Sequence, residues 1–254
     1  MRKLPLRIVL LVALAFFSFL MIRLTLPYTA MRSGVNFLRT KQYIYHIRYW
    51  RISFYAHVFT SCLVLLAGFT QFAPRLLVRR PRIHRVMGWV YLIVVTTISG
   101  PAAFVMALFA NGGLPARTSF TLLSLLWISF TLFAGYYAFR RRFALHGAFM
   151  FRSYALTLSA ITLRGYTYLI DLTTLPISPR DIYILTAWLA WVPNLIVAEV
   201  LIRRGWVEKI YRVPAPKPEP PMLMPELPMP KPEPPNPELP IAGQGEHPPV
   251  GISH

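Results

Sequence analysis

Polar positions in this chain gather at the ends of long apolar runs, and the runs define its elements. Residues 1–27 open with Arg2, Lys3 and Arg7, run apolar from Ile8 to Ile22, and as a helix end near Leu26. Further runs cover Ile52–Phe72, Pro81 to about Ala110, Thr118–Phe139, His146–Ile170 and Asp181 to about Ile202. Each is about 20 residues or longer, enough at 1.5 Å per residue to cross ~30 Å of hydrocarbon. The stops between them are turn signals: Pro74, the stretch Asn111-Gly112-Gly113-Leu114-Pro115, and the loop Leu175–Arg180. Pro81 suits a first helical turn, where its missing N–H has no partner to lose. The pattern predicts an all-α fold, a polytopic bundle of six transmembrane helices.

The first run has the basic head and apolar middle of a signal peptide, but no small-x-small cleavage site follows it. It is read as an uncleaved first helix. Residues 28–51 mix Tyr and Trp with Arg and Lys, which predicts an extracytoplasmic loop with an interfacial helix at headgroup level, His46 exposed within it. Residues 203–254 form a tail that turns proline-rich from about Pro214, where PKPEPPMLMPELP is followed by PKPEPPNPELP. Such proline density blocks helix and sheet and favours extended polyproline II. The tail is read as a disordered cytoplasmic segment, with docking of a proline-reading partner as the sharper alternative.

Charge adds an orientation. Of 27 Lys and Arg, 25 precede residue 214, against four acids there: Asp171, Asp181, Glu199 and Glu208. The net charge of +18 sits at the ends of apolar runs rather than in any nucleic-acid recognition module, so no nucleic-acid partner is predicted. The richer basic loops lie beside the N-terminus, between the second and third runs, between the fourth and fifth, and after the sixth. They predict an inner-membrane protein with both termini cytoplasmic. The single cysteine, Cys62, has no partner for a disulfide or a thiolate metal site. Its role is apolar packing.

The stretch Arg140–Tyr166 places Arg152 and Arg164 inside an otherwise apolar frame, and buried charge demands a partner. Arg152 and Glu199 fall on the cytoplasmic side of the fifth and sixth runs, which predicts an ion pair between them. Arg164 lies near the outer end, where Asp171 or Asp181 neutralises it or it snorkels outward. Gln71 and Asn194 complete the intramembrane polar set. His84 and His146 both start runs on the cytoplasmic side, so their depths match. Two facing imidazoles supply the axial ligands of a b-type haem, and Gly88 and Gly147 beside them leave room for a flat macrocycle. His57 lies toward the opposite face, and the fourth run has no histidine to pair with it. Against haem stands the plainer reading of interfacial histidines among phosphate-binding arginines. No phosphate loop, HExxH, CxxC or GxSxG occurs, and no carboxylate pair falls within the bundle.

The sequence resembles an uncharacterised, domain-of-unknown-function family of predicted bacterial multi-pass membrane proteins. The matching features are His57 with Gln71-Phe72, the opening Arg82-x-His84-Arg85-x-x-Gly88-x-x-Tyr91, and the stretch His146 through Met150-x-Arg152-Ser153-Tyr154-Ala155-Leu156-Thr157 to Thr162-Leu163-Arg164. Trp188, Trp191, Asn194 and Ala198-Glu199 complete them, so that residues 52–202 form the matching five-helix membrane domain. Members more often carry His-Arg where this chain has His146-Gly147. The resemblance implies class and location, with no established activity. A looser likeness is to the cytochrome b561 architecture, in which histidine pairs sit on a central four of six helices; only one such pair is available here. The expectation is a non-catalytic membrane protein, whether scaffold, lipid-contacting or transporter-like. The alternative is a single b-haem electron carrier using His84 and His146, with a membrane quinone or other redox partner.

Overall fold

A computed structural model of the chain describes residues 16–17, 19–173 and 176–211. Most of the predicted first helix and all of the proline-rich tail therefore lie outside the described residues. Within them the protein is all-helical, with no strand. The elements are α1 (19–25), α2 (Arg48–Gln71), α3 (Pro74–Arg79), α4 (Pro81–Ile93), a π-helical turn (Val94–Ser99), α5 (Gly100–Leu108) and α6 (Leu114–Phe139). There follow α7 (Phe143–Thr157), α8 (Ser159–Asp171), α9 (Pro179–Leu189), α10 (Val192–Arg203) and the short α11 (Trp206–Tyr211). Proline stands in the first turn of α3, α4, α5, α6, α9 and α10, where an N–H is not needed. Gly112 and Gly113 turn the chain between α5 and α6 with φ of 84° and 76°, the left-handed region glycine enters without strain.

Among the described residues four helices, against the six expected of the whole chain, are long and apolar enough to cross a membrane: Arg48–Gln71, Pro81–Leu108, Leu114–Phe139 and Pro179–Arg203. Only 22–33% of each apolar window is buried. Leu63, Leu66, Leu125, Leu132, Ile196 and Val197 stand exposed along them, which in water would be prohibitive and in lipid is the stable arrangement. The expected fifth span is two helices of 15 and 13 residues, separated at Leu158. The break has a physical cause. The Ala155 carbonyl, which Ser159 would bond in an unbroken helix, accepts instead from Asn194 Nδ2 at 3.2 Å. A side chain inserted into the ladder is a standard origin of a helix kink.

The expected sixth span is also interrupted, between α9 and α10, where Pro193 removes a backbone donor. Its loosened carbonyls find other partners. Ser119 Oγ donates to Ala187 O at 2.8 Å and accepts from Trp191 Nε1 at 2.9 Å, and Asn194 Nδ2 reaches Ala190 O at 3.1 Å. Thr162 Oγ1 donates to the same Ala190 carbonyl at 2.5 Å. The expected interfacial helix in 28–51 is instead two 3₁₀ turns, Leu26–Ala30 and Asn36–Lys41, leading into α2. Buried Tyr28, Leu38 and Ile44 of this segment pack with Trp50 and Phe54 of α2 into a separate aromatic cluster.

The main core joins α2, α4, α6, α7 and the start of α10 through Val64, Leu65, Tyr91, Val95, Trp127, Met150, Tyr154, Leu156 and Trp191. Gly68 sits where no side chain fits: a Cβ there would lie 2.6 Å from the Tyr154 ring and 2.8 Å from that of Tyr91. At Gly100 a Cβ would meet the Ile128 side chain of α6 at 2.5 Å, so glycine lets α6 lie close just after the π turn.

Candidate functional site

Tyr91 lies ten residues into the span that begins at Pro81, and Ser153 ten residues into α7, so both sit about 15 Å from the same end of the bundle. Their hydroxyls are 2.7 Å apart, and Tyr91 is equally close to the hydroxyl of Thr157. Ser153 is in turn 2.7 Å from Thr131 Oγ1 on α6. Trp127, one turn from Thr131, donates its indole N–H to Thr157 Oγ1 at 3.0 Å. All five side chains are buried, with Ser153 at 0% and Tyr91 and Thr131 at 1% exposure. The spacing explains the convergence: Ser153 and Thr157, like Trp127 and Thr131, are four residues apart and share a helix face.

Backbone carbonyls compete for the same hydrogens. Thr131 Oγ1 donates to Trp127 O at 2.7 Å, and Thr157 Oγ1 to Ser153 O at 3.2 Å. Each hydroxyl brings one hydrogen, and the indole brings one. The cluster therefore holds fewer hydrogens than its short contacts require, so its hydroxyls share them among alternative orientations.

Beyond Trp127 the polar groups continue at His57. Its ring stands edge-on to Trp127, with centroids 6.3 Å apart. His57 Nδ1 donates to Ser99 O at 3.0 Å, in the π turn, and Ser61 and Ser99 hydroxyls, 3.1 Å from each other, complete the group. A π turn of this kind frees backbone groups and is frequent at functional sites. Cys62 lies next door, 3.4 Å from Thr25 Oγ1, a packing contact.

Arg152 and Glu199 meet as expected. Arg152 Nε donates to Glu199 Oε1 at 2.5 Å and Nη2 to Oε2 at 3.0 Å, a two-pronged pair that leaves the side chains 21% and 35% exposed. The guanidinium also lies 5.0 Å from the Phe149 ring centre. It is the one salt bridge among the described residues. Arg164 finds neither Asp171 nor Asp181. Its Nη1 donates to Ala160 O at 2.7 Å, while Asp181 is held by Ser178 at the start of α9. Asn194 braces the two helix breaks rather than sitting in a conduit.

His84 and His146 come near each other, close enough to interact electrostatically. His146 Nδ1 donates to Ala134 O at 2.8 Å, which puts the acceptor lone pair on Nε2. His84 Nδ1 is buried without a hydrogen-bond partner. The room beside Gly88, however, holds Gln71: a Cβ on that glycine would lie 3.1 Å from Gln71 Oε1, and Gln71 Nε2 donates to His84 O at 3.2 Å. Gly147 is buried in packing. A macrocycle between these histidines requires Gln71 to move. No group of three metal-ligating side chains occurs among the described residues.

Outside the spans, Lys41 is 2% exposed and donates to Phe109 O and, at 2.6 Å, to Asn111 Oδ1. Burial, with Arg117 nearby, lowers its pKa from 10.5 to about 8.

Long lipid-facing helices, breaks capped from neighbouring helices and a polar interior define a multi-pass helical membrane protein. Residues 54–202 match the model of a predicted membrane protein family, DUF2306, and the chain belongs to that family. No curated protein and no solved structure matches it.

Proposed function

We propose that this chain is a non-catalytic, transporter-like protein of the inner membrane that moves protons through its bundle. Both termini lie in the cytoplasm, and the broken α7–α8 and the N-terminal helix complete six crossings. The observation that carries the reading is the buried hydroxyl chain Thr131–Ser153–Tyr91–Thr157, with contacts of 2.7 Å at mid-depth. A hydroxyl both donates and accepts, so a continuous row of them passes a proton by reorientation. Polar groups are costly at this depth and mark pathways when they persist. His57 beyond Trp127 supplies a titratable group on the outer side, and the Arg152–Glu199 pair adjoins Ser153 on the inner. Packing glue is the competing role for hydroxyls in membrane helices, and flux separates the two.

The test is proteoliposomes loaded with a pH-sensitive dye under an imposed membrane potential. The reading requires proton flux with wild type and at least a tenfold loss in Tyr91→Phe, assayed well below that variant's own unfolding temperature. Wild-type liposomes no leakier than protein-free ones would overturn it.

A second reading, a single b-type haem on His84 and His146 with quinone as redox partner, is supported by the partnerless His84 Nδ1 and the nearness of the two rings. Gln71 over Gly88 opposes it. A reduced-minus-oxidised spectrum of protein from haem-replete cells decides: b-type bands lost in His84→Ala and His146→Ala support it, and a flat spectrum removes it. A proline-reading partner for the tail rests on residues outside those described.

A further inference from the structure

A groove of about 560 Å³ runs along the outer half of α2, away from the polar core. It is lined by Ile52, Ala56, Phe59 and Thr60 together with Tyr45, Tyr55 and Arg51. From Arg51 to Thr60 the groove follows the helix for about 13 Å, from near the start of the span toward the middle of the bilayer.

The polar groups lining it are already engaged, except one. Thr60 Oγ1 donates to Ala56 O at 2.6 Å, within its own helix. Tyr45 Oη donates to Met31 O at 3.1 Å, which leaves Tyr55 as the donor in the 3.2 Å contact between the two tyrosine hydroxyls. Arg51 lies over the Tyr45 ring, 5.5 Å from its centre, and forms no salt bridge with any described carboxylate. A cation held at the start of a membrane span, above an apolar channel and with its donors unspent, matches an amphiphile with an anionic head and a hydrocarbon tail.

We propose that this groove is a binding site for one anionic phospholipid, its phosphate on Arg51 and one acyl chain along Ile52, Ala56, Phe59 and Thr60. The volume suits a single chain, and the planar guanidinium suits bidentate contact with a phosphate. The site is independent of proton movement through the bundle, since none of its residues belongs to the hydroxyl chain.

The test is native mass spectrometry of the detergent-purified full chain after exchange into dioleoyl phosphatidylglycerol or dioleoyl phosphatidylcholine. Wild type is expected to retain one phosphatidylglycerol per chain and to prefer it to phosphatidylcholine. Arg51→Gln is expected to lose that preference at least tenfold, and Ala56→Phe, which fills the channel, to lose retention of both lipids. Each variant is compared only at a wild-type unfolding temperature, and Arg51→Gln, half-buried at the rim, serves if Ala56→Phe misfolds. The proposal fails if Arg51→Gln retains phosphatidylglycerol as wild type does. It fails equally if glycerol phosphate without acyl chains displaces the lipid, or if a dimer covers the groove.

Discussion

The hydroxyls of Tyr91 and Thr157 lie 2.7 Å apart in the centre of the bundle, and Tyr91 is the only member of its cluster that touches two neighbours on α7. Tyr91→Phe removes that hydroxyl while keeping the ring packed against Gly68. The expected cost is about 1–3 kcal/mol, the penalty for leaving buried partners short of a hydrogen bond. It is read as a lowered unfolding temperature in detergent, and a change within error would mean that Ser153 and Thr157 satisfy each other without it.

Glu199→Gln leaves Arg152 without its carboxylate. A fully buried broken pair costs ~3–5 kcal/mol, but these side chains are 21% and 35% exposed, so roughly 1–3 kcal/mol is expected. The double variant Arg152→Leu with Glu199→Leu should recover part of the loss, because it removes the orphaned charge. Chemical denaturation of all three proteins in one detergent gives the comparison.

Much of this pair was legible in the sequence, because a charge inside an apolar run has to be compensated and Glu199 was the one acid on that side lying inside a run. The hydroxyl chain was not legible. Serine and threonine are ordinary in membrane helices and normally bond their own backbone, as Thr60 and Thr96 do here. The four-residue spacing of Ser153 with Thr157 and of Trp127 with Thr131 was the available signal, and it becomes meaningful only when α6 and α7 are known to face each other. Pro193 announced a break that the apolar run around it concealed, and the break at Leu158 depends on Asn194, 36 residues further along the chain. Gln71, read as one polar residue among several, turns out to fill the space that Gly88 had appeared to reserve for a macrocycle.

Gly68→Ala drives a methyl group to within 2.6 Å of the Tyr154 ring. Overpacking of this kind costs typically ~1–3 kcal/mol. Gly34→Ala, with nothing within 4 Å of the added carbon, serves as the control and should leave the unfolding temperature nearly unchanged.

Lys41 gives a pH dependence with a definite sign. Its pKa falls from 10.5 to about 8 in the folded chain. Between those values the unfolded chain binds more protons than the folded one, so this group makes stability rise with pH from about 8 to 10.5 and contributes no slope below. Subtracting the profile of Lys41→Met from that of wild type isolates the effect from the tyrosines. A flat difference would show that the lysine is not buried as described.

Asn194 holds the Ala155 carbonyl of one interrupted crossing and the Ala190 carbonyl of the next. One amide thereby ties the elbows of both. Thr162 of α8 donates to the same Ala190 carbonyl, so all four half-helices meet at one polar joint, and a substitution at Asn194 loosens both elbows at once.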